Sequence, residues 1–253
     1  MRRALAFPSS VATITLQAPQ YARAYAANVR QHRKVLKFYS LFIRRGDLCF
    51  DVGAHMGSRT GVFLRLGARV ICIEPQEACL RRLHKIFEDN KNVIVVDKAV
   101  GDHEGEGELA ICEDASTIST MSDKWRTEGR FSKDFDWTKT QRVAIVTLDR
   151  LISLYGRPVF CKIDVEGFER PVLRGLTKPI PFISFEFTRE FLDDAKKCMT
   201  HLRSIGRVEF NCAIGETMSL LFPNWVTSEE LYATLESNRD NFLWGDIYAK
   251  FQE

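Results

Sequence analysis

The stretch from Cys49 to Thr60 reads Cys-Phe-Asp-Val-Gly-Ala-His-Met-Gly-Ser-Arg-Thr. It predicts a buried strand, a glycine-containing turn and a helix, which would direct backbone N–H groups and the carboxylate of Asp51 toward a small ligand. The spacing Gly-x-x-x-Gly is a weak signal alone. A second apolar run, Val70 to Ile73, follows one short helix later and ends at Glu74, where nucleotide-binding folds hold a ribose diol. Together the two stretches predict a nucleotide-type ligand.

The composition is typical of a globular protein. Of the 253 residues, 45% are hydrophobic and 27% are charged, which allows one large core. No run approaches the roughly 18 to 20 apolar residues that cross a bilayer, and the amino terminus lacks an apolar stretch followed by a small-residue cleavage site. The seven cysteines form no Cys-x-x-Cys pair. We therefore expect a cytoplasmic protein with no transmembrane segment and no structural zinc.

The positive charge is concentrated at the amino terminus. Residues 1–46 contain nine Lys or Arg and no Asp or Glu, whereas the remainder has 27 basic and 33 acidic residues. Apolar residues at helical spacing predict an amphipathic helix over residues 20–44. Two interpretations stay open: a helix packed on the main domain with a solvated basic face, or a cap that attracts an anionic substrate. Nucleic acid is not expected, because no aromatic-and-basic pattern accompanies the charge.

From residue 47 to residue 253 the pattern predicts one domain of alternating strands and helices. Its runs of β-branched residues are typical of parallel strands buried on both faces, and their order predicts an open, doubly wound sheet. Such sheets bind ligands at the carboxyl ends of their strands. Asp51, Glu74 and Asp97, each at the end of a strand, are therefore expected on one rim. The later strands are predicted at residues 142–147, 159–163, 182–185, 208–213, 219–221 and 246–251, with residues 208–213 and 219–221 paired.

An insertion at about residues 113–141 interrupts this alternation. It mixes polar residues with four aromatic ones and has no clear period. Loops of this length are usually functional or mobile. It is predicted either to be a lid over the substrate or to be a plain surface excursion. Ser116 lies near its start, where its hydroxyl would contact a cofactor or belong to an ordinary polar loop.

Seven short motifs follow one another along residues 47–251. They are Phe50 to Gly57, Ile73-Glu74-Pro75, Ala99 to Asp102, Thr147-Leu148-Asp149, Lys162 to Glu169, Leu173-Arg174-Gly175 and Gly245 to Lys250. In this order they resemble the FkbM family of S-adenosylmethionine-dependent methyltransferases. The most specific motif is Lys-Ile-Asp-Val-Glu-Gly at residues 162–167. The family usually has Asn at the position of His55.

The resemblance implies a Rossmann-like class I methyltransferase fold with a seven-stranded, mostly parallel, doubly wound sheet, here preceded by the helical cap. It also implies S-adenosylmethionine as the methyl donor, with S-adenosylhomocysteine as product. Members of the family methylate hydroxyl groups on natural products and sugars. The expected partner is thus a small-molecule or glycan hydroxyl acceptor, and no metal is expected. The basic amino-terminal segment leaves open an anionic acceptor.

Cofactor-binding residues can be named from this resemblance together with the chemistry of the side chains. The glycines would admit the methionine part of the cofactor, Asp51 would hold the turn or bind the ammonium, and the two oxygens of Glu74 suit the ribose diol. Asp51 could instead be a turn or helix-capping acid, and Glu74 a solvated strand end. The full predicted set is Asp51, Gly53, Ala54, His55, Gly57, Thr60, Glu74, Pro75, Asp97, Lys98, Ala99, Ser116 and Asp164.

Three acidic residues are candidates for catalysis. An alcohol is a poor nucleophile until its proton is removed, so a carboxylate with a raised pKa would serve as general base. Asp164 is the first choice, Glu186 the second, and Glu166 lies beside them. The alternative is that these acids bind the cofactor ammonium or complete hydrogen bonds at helix starts. Lys162, two residues before Asp164 on the same face of the strand, is placed to neutralise it.

Two other functions remain open at this stage. A nicotinamide-dependent oxidoreductase is disfavoured by the glycine spacing and by the lack of a Tyr-x-x-x-Lys pair, since Val159 stands four residues after Tyr155. A catalytically silent module that binds S-adenosylmethionine is compatible with the same motifs, because methyl transfer needs little dedicated side-chain chemistry.

Overall fold

Strands and helices alternate through residues 31–252, the part of the chain that the computed structural model describes. The strands in chain order are β1 (Leu48–Val52), β2 (Arg69–Ile73), β3 (Val93–Val96), β4 (Ala99–Val100), β5 (Gly105–Ile111), β6 (Lys139–Val146), β7 (Phe160–Ile163), β8 (Phe182–Thr188), β9 (Val208–Ile214) and β10 (Trp244–Phe251). The α-helices are α1 (residues 31–39), α2 (Ser58–Arg65), α3 (Glu77–Phe87), α4 (Asp123–Glu128), α5 (Leu148–Tyr155), α6 (Glu169–Arg174), α7 (Leu192–Ile205) and α8 (Ser228–Ser237).

Seven of the strands form one large sheet in the order β3-β2-β1-β7-β8-β10-β9. The first five strands in this order, β3, β2, β1, β7 and β8, pair in parallel with their neighbours within this group. Strand β10 lies antiparallel to both β8 and β9. The predicted seven-stranded, mostly parallel sheet is therefore confirmed. The strand order reverses between β1 and β7, and a ligand crevice is expected at the carboxyl ends of these two strands.

The sheet buries both of its faces. One face packs against α5 to α8 through aliphatic and aromatic side chains such as Phe185 and Leu202. The other face packs against α1 and α2, where the ring of Phe42 stacks between Phe160 and Tyr248 at centroid distances of 5.5 and 5.2 Å. Burial on both faces explains why the strands consist of nearly continuous apolar runs.

Helix α1 is the described part of the amphipathic helix predicted at residues 20–44. It buries Val35, Phe38 and Tyr39 against the sheet, and leaves Lys34 and Lys37 exposed. In this part the helix is packed on the main domain with a solvated basic face, as the first of the two interpretations expects. It ends at residue 39, followed by a turn, and residues 20–30 lie outside the described chain.

A smaller sheet of three strands, in the order β4-β6-β5, leads into and out of the insertion. Between β5 and β6 the chain forms a short 3-10 helix, Ser116–Ile118, and then α4, whose N-cap is Ser122. The insertion is docked on the domain: Trp125 is 2% exposed, and Arg130 forms an ion pair with Glu190 at 2.7 Å.

Two local predictions are wrong. Residues 219–221 form no strand, and β9 pairs with β10 instead. The 219–226 segment meets β9 through the N–H of Leu221, which donates to the carbonyl oxygen of Cys212 at 2.7 Å, and through an isolated bridge at Val226. Pro223, which has no N–H to donate, interrupts a longer ladder there. The strand predicted at residues 182–185, which would leave Glu186 at its end, is longer, because β8 continues to Thr188 beside β10. No helix in residues 31–252 is both long and apolar enough to span a membrane.

Candidate active site

The turn after β1 brings the ends of β1 and β7 into close contact. Gly53 has φ +77°, and a Cβ atom at this position would lie 1.8 Å from the carbonyl oxygen of Asp164. Only glycine fits such an approach. The N–H groups of Gly53 and Ala54 both donate to the carbonyl oxygen of Ile73 on β2. The turn is thus fixed to both neighbouring strands.

A cavity of about 300 Å³ opens over this turn at the carboxyl ends of the strands. Most of the predicted site residues line it: Asp51, Gly53, Ala54, His55, Glu74, Pro75, Lys98, Ala99, Ser116, Asp164 and Glu166. We call it the first cavity. Its volume is at the lower end of the range for ligand pockets, which is about 300 to 1,000 Å³.

Three predicted cofactor residues do not line the first cavity. Thr60 is buried and donates its hydroxyl hydrogen to Oδ2 of Asp51 at 2.6 Å, so it positions that carboxylate. Gly57, with φ +77°, precedes α2, and a Cβ there would touch Leu83. Asp97 is exposed beyond the end of β3. Sequence spacing correctly predicts the end of the strand but cannot predict in which direction the side chain points.

Glu74 is the acidic residue most firmly held in the first cavity. Its Oε2 accepts the N–H of His55 and its Oε1 accepts the N–H of Gln76, both at 2.8 Å. Burial raises the pKa of this carboxyl to about 7, although the two backbone N–H groups act in the opposite direction. Each oxygen keeps lone-pair capacity for a further donor, such as a ribose hydroxyl.

His55 connects the glycine turn to the insertion. Its backbone has φ +49°, a left-handed conformation in which His and Asn are both enriched. His can therefore replace the Asn that is usual at this position in the family that the motifs resemble. Its Nε2 lies 2.9 Å from Oγ of Ser116. Burial lowers the pKa of His55, although nearby Asp164 acts to raise it, so the neutral imidazole is favoured. Ser116 was predicted to contact the cofactor or to belong to an ordinary polar loop. In the structure its hydroxyl contacts His55 and so helps to hold the glycine turn in place.

The carboxylate of Asp164 forms an ion pair with the side chain of Lys162. The ammonium of Lys162, which is 2% exposed, lies 2.7 Å from Oδ2 of Asp164 and 3.6 Å from Oδ1 of Asp246. Burial by itself raises the pKa of Asp164, but the ion pair with Lys162 overcomes this and lowers it. A carboxylate with a lowered pKa accepts a proton poorly. The geometry therefore disfavours Asp164, the first choice from sequence, as the general base.

Glu166 and Glu186 have the opposite electrostatic surroundings. One oxygen from each lies within 4.8 Å of the other and of Asp164. Burial raises the pKa of both glutamates well above the ordinary range, and the neighbouring carboxylate of Asp164 raises them further. Glu166 has φ +53°, a strained conformation, and the hydroxyl of Thr120 donates to its carbonyl oxygen at 2.7 Å. Strain and raised pKa values together mark a functional site.

The same three carboxylates have the oxygen ligands that a divalent cation prefers. Among the His, Cys, Asp and Glu side chains of residues 31–252, these three have ligand atoms close enough together to hold a metal ion. The ammonium of Lys162 already supplies a positive charge beside Asp164. The expectation that no metal is needed stays a prediction.

A second cavity, of about 490 Å³, adjoins the first. Glu186 lines the second cavity, whereas Asp164 and Glu166 line the first, and both cavities share Met121 and Phe168. The acidic group thus lies where the two cavities meet.

Sequence reasoning missed an ion pair at the edge of the first cavity. Arg59 donates from Nη2 to both oxygens of Glu216, at 2.9 and 3.0 Å. Both residues line the cavity. Arg59 stands in the glycine motif and could have been considered, but Glu216 comes from the loop after β9, more than 150 residues away, and no local signal marks it.

The sheet order, the glycine turn and the buried acid after β2 define a Rossmann-like class I methyltransferase fold. The family model of the methyltransferase FkbM domain matches residues 51–209. The chain belongs to the FkbM methyltransferase family, so it is an S-adenosylmethionine-dependent methyltransferase. No curated protein sequence matches the chain.

Several solved structures are similar at low identity. A precorrin-6y C5,15-methyltransferase from Geobacter metallireducens GS-15 is 13% identical, with a TM-score of 0.42 over 95% of this chain and 92% of that chain. Fibrillarin from Aeropyrum pernix, crystallised with natively bound S-adenosylmethionine, is 12% identical, with a TM-score of 0.41 over 87% and 75% of the two chains. A putative RNA methyltransferase from Pyrococcus horikoshii is 10% identical, with a TM-score of 0.44 over 88% and 84%.

Proposed function

We propose that the protein transfers a methyl group from S-adenosylmethionine to a hydroxyl of a small molecule, a sugar or a natural product. The observation that carries this proposal is the pair Glu166 and Glu186, whose raised pKa values suit a general base at the meeting point of the two cavities. A hydroxyl acceptor needs such a base, because an alcohol attacks poorly until its proton is taken.

The residues of the first cavity fit S-adenosylmethionine. Glu74 offers carboxylate oxygens to the ribose diol, and Lys98 and Ala99 would border the adenine. Gly53 leaves the backbone open to the methionine part, while Asp51 would attract its ammonium group. When bound, the cofactor supplies an electrophilic methyl group on a sulfonium. The protein's remaining task is to hold the acceptor oxygen about 3 Å from that methyl group and in line with it.

In this proposal Glu186, Glu166 and Asp164 have different roles. Glu186, on the side of the second cavity, accepts the hydroxyl proton. Burial and Asp164 raise the pKa of Glu186, and Glu166 lies close enough to raise it further. Asp164 stays ionised beside Lys162 and places a negative charge near the positive donor.

Replacing Glu74 with alanine should weaken binding of S-adenosylhomocysteine by about 1 to 3 kcal/mol, because charge-assisted hydrogen bonds to the ribose are lost. The loss also frees the N–H groups of His55 and Gln76, which adds to the effect. Isothermal titration calorimetry measures it. Glu77→Ala, an exposed residue at the start of α3 outside the cavity, is the matched control. Equal affinity in both variants would remove Glu74 from the site.

Calorimetry with the purified protein tests the function itself. S-adenosylhomocysteine should bind with micromolar affinity, and NAD, the cofactor of the alternative enzyme class, should not bind. Release of S-adenosylhomocysteine from S-adenosylmethionine is then followed with hydroxylated acceptors, beginning with sugars. Cofactor binding without turnover on any hydroxyl acceptor would favour the silent binding module. Methylation of a nitrogen or carbon acceptor alone would disprove the hydroxyl proposal.

A further inference from the structure

The second cavity is large enough to receive an acceptor and opens onto the proposed base. It is bounded by the insertion, by the start of α6, by the end of β8 and by the first turns of α7. At its inner end stand Glu186 and Glu169, of which Glu169 is held by the N–H groups of Val165 and Gly167. Phe168 and Met121 line both cavities, so this inner end adjoins the cofactor residues.

The outer part of the second cavity is basic. Four cationic side chains line it: Lys124, Arg170, Arg174 and Lys197. Two of them share one carboxylate, since Lys124 and Lys197 lie 2.6 and 3.0 Å from the two oxygens of Asp194. Asp123, which pairs with Arg126, is the second acidic residue at the rim, so four positive charges there face two negative ones.

The other two cations are weakly neutralised. The guanidinium of Arg174 lies 3.4 Å from an oxygen of Asp102, and Arg170 is exposed and takes no ion pair from residues 31–252. Unpaired guanidinium groups bind phosphate or carboxylate oxygens through two parallel hydrogen bonds.

We propose that the second cavity binds a hydroxylated acceptor that carries an anionic group, with its hydroxyl at Glu186 and its phosphate or carboxylate at the rim beside Arg170 and Lys197. This rests on the proposed function, because it places the acceptor of that same reaction. The polarity of the cavity favours this orientation. An anion at the inner end would meet Glu186 and Glu169, whereas at the rim the four cations outnumber Asp123 and Asp194.

Aromatic side chains suit the middle of such an acceptor. Trp125 and Phe191 pack together with ring centroids 5.8 Å apart, and both line the cavity with Phe168. Flat apolar rings of this kind contact the carbon skeleton of a ligand.

On transfer, the acceptor C–O–H group loses its proton to Glu186, a new O–CH3 bond forms, and the bond between sulfur and the methyl group breaks to leave a neutral thioether.

The test measures anion binding without needing the true acceptor. Pyrophosphate and citrate are titrated into the full chain saturated with S-adenosylhomocysteine, at low salt. We expect at least one of them to bind, and we expect Arg170→Glu and Lys197→Glu to weaken that binding about tenfold. Lys196→Glu is the matched control, because Lys196 is also exposed on α7, one residue away, and does not line the cavity. It should leave the affinity within twofold.

The outcomes separate this inference from the proposed function. Binding of pyrophosphate alone identifies a phosphate-bearing acceptor, and binding of citrate alone identifies a carboxylate. Failure of both anions to bind, or an equal loss in the Lys196→Glu variant, overturns the inference while binding of S-adenosylhomocysteine still supports the methyltransferase site. Failure of S-adenosylhomocysteine to bind would count against the proposed cofactor site itself.

Discussion

Replacing Lys162 with methionine is expected to lower the free energy of unfolding by about 3 kcal/mol, the lower end of the range for breaking a buried ion pair, because Asp246 and the partly exposed Asp164 lose their shared cation. The ammonium of Lys162 is the cation that Asp164 and Asp246 share, and Asp51 stands on the neighbouring strand in register with it. Methionine keeps the length of the side chain, so the loss of charge dominates over the loss of packing. Urea unfolding at pH 7 measures the change.

The pH dependence of the unfolding free energy tests whether the lost charge of Lys162 causes the destabilisation. In the wild type, burial lowers the pKa of Lys162, but Asp164 and Asp246 raise it well above its ordinary value. This contribution to stability is therefore complete below the pKa of an unfolded lysine, about 10.4, and is lost only as the pH rises through the higher folded value. In the variant, the buried aspartates bind protons more readily than in the unfolded chain. Its deficit should then be smaller at pH 5 than at pH 8.

Lys91→Met provides the comparison, since Lys91 is exposed in the loop before β3. Its unfolding free energy should stay within about 0.5 kcal/mol of the wild type, as is usual for surface substitutions. If Lys162→Met were equally harmless, the network around Asp164 would not depend on the ion pair, and the reason for disfavouring Asp164 as a base would disappear.

Replacing Glu186 with glutamine should reduce turnover by about 10²- to 10⁴-fold, the usual contribution of a positioned general base. Binding of S-adenosylhomocysteine should change little, because Glu186 lines the second cavity and not the first. The measurement is single-turnover release of S-adenosylhomocysteine once an acceptor is known, with calorimetry on the same preparation. Undiminished turnover would exclude Glu186 as the base.

The pH profile separates the roles of the two glutamates. A base works in its ionised form, so activity should rise with pH through an apparent pKa above the ordinary carboxyl range, because burial and neighbouring acids raise the pKa of Glu186. This limb should disappear in Glu186→Gln. In Glu166→Gln it should move to lower pH, since one of the negative charges that raise the pKa of Glu186 is gone.

Two other results would contradict the assignment of the base. Loss of activity in Glu166→Gln with full activity in Glu186→Gln would transfer the role to Glu166. Activity that a chelator abolishes and a divalent cation restores would mean that the three carboxylates act as metal ligands, which their separation of at most 4.8 Å permits.

How far the sequence predicts this site depends on how local each feature is. Gly53, His55 and Glu74, predicted as cofactor-binding residues, all line the first cavity, because a strand, a turn and a helix in succession fix their position along the chain. The same reasoning could place Asp97 at the end of a strand but not direct it into the cavity, since an exposed side chain has little packing to fix it.

Features that join distant segments were beyond such reasoning. The ion pair of Lys162 with Asp246 depends on β10 being inserted between β8 and β9, and no residue near position 162 encodes that. The preferred base changes from Asp164 to Glu186 because the same ammonium also forms an ion pair with Asp164 at 2.7 Å and lowers its pKa. One wall of the second cavity is likewise formed by the insertion, which packs Trp125 against Gly167, where an added Cβ would lie 2.9 Å from the indole ring.

The insertion contacts both cavities, through Ser116 at His55 in the first and through Trp125 in the second. A single segment that contributes to two binding sites couples them thermodynamically. If the cofactor favours the docked position of this segment, it must raise the affinity for the acceptor, and the acceptor must raise the affinity for the cofactor by the same factor. We therefore expect the affinity for each ligand to be higher when the other is bound, and the affinity for the methylated molecule to fall once the spent donor has left.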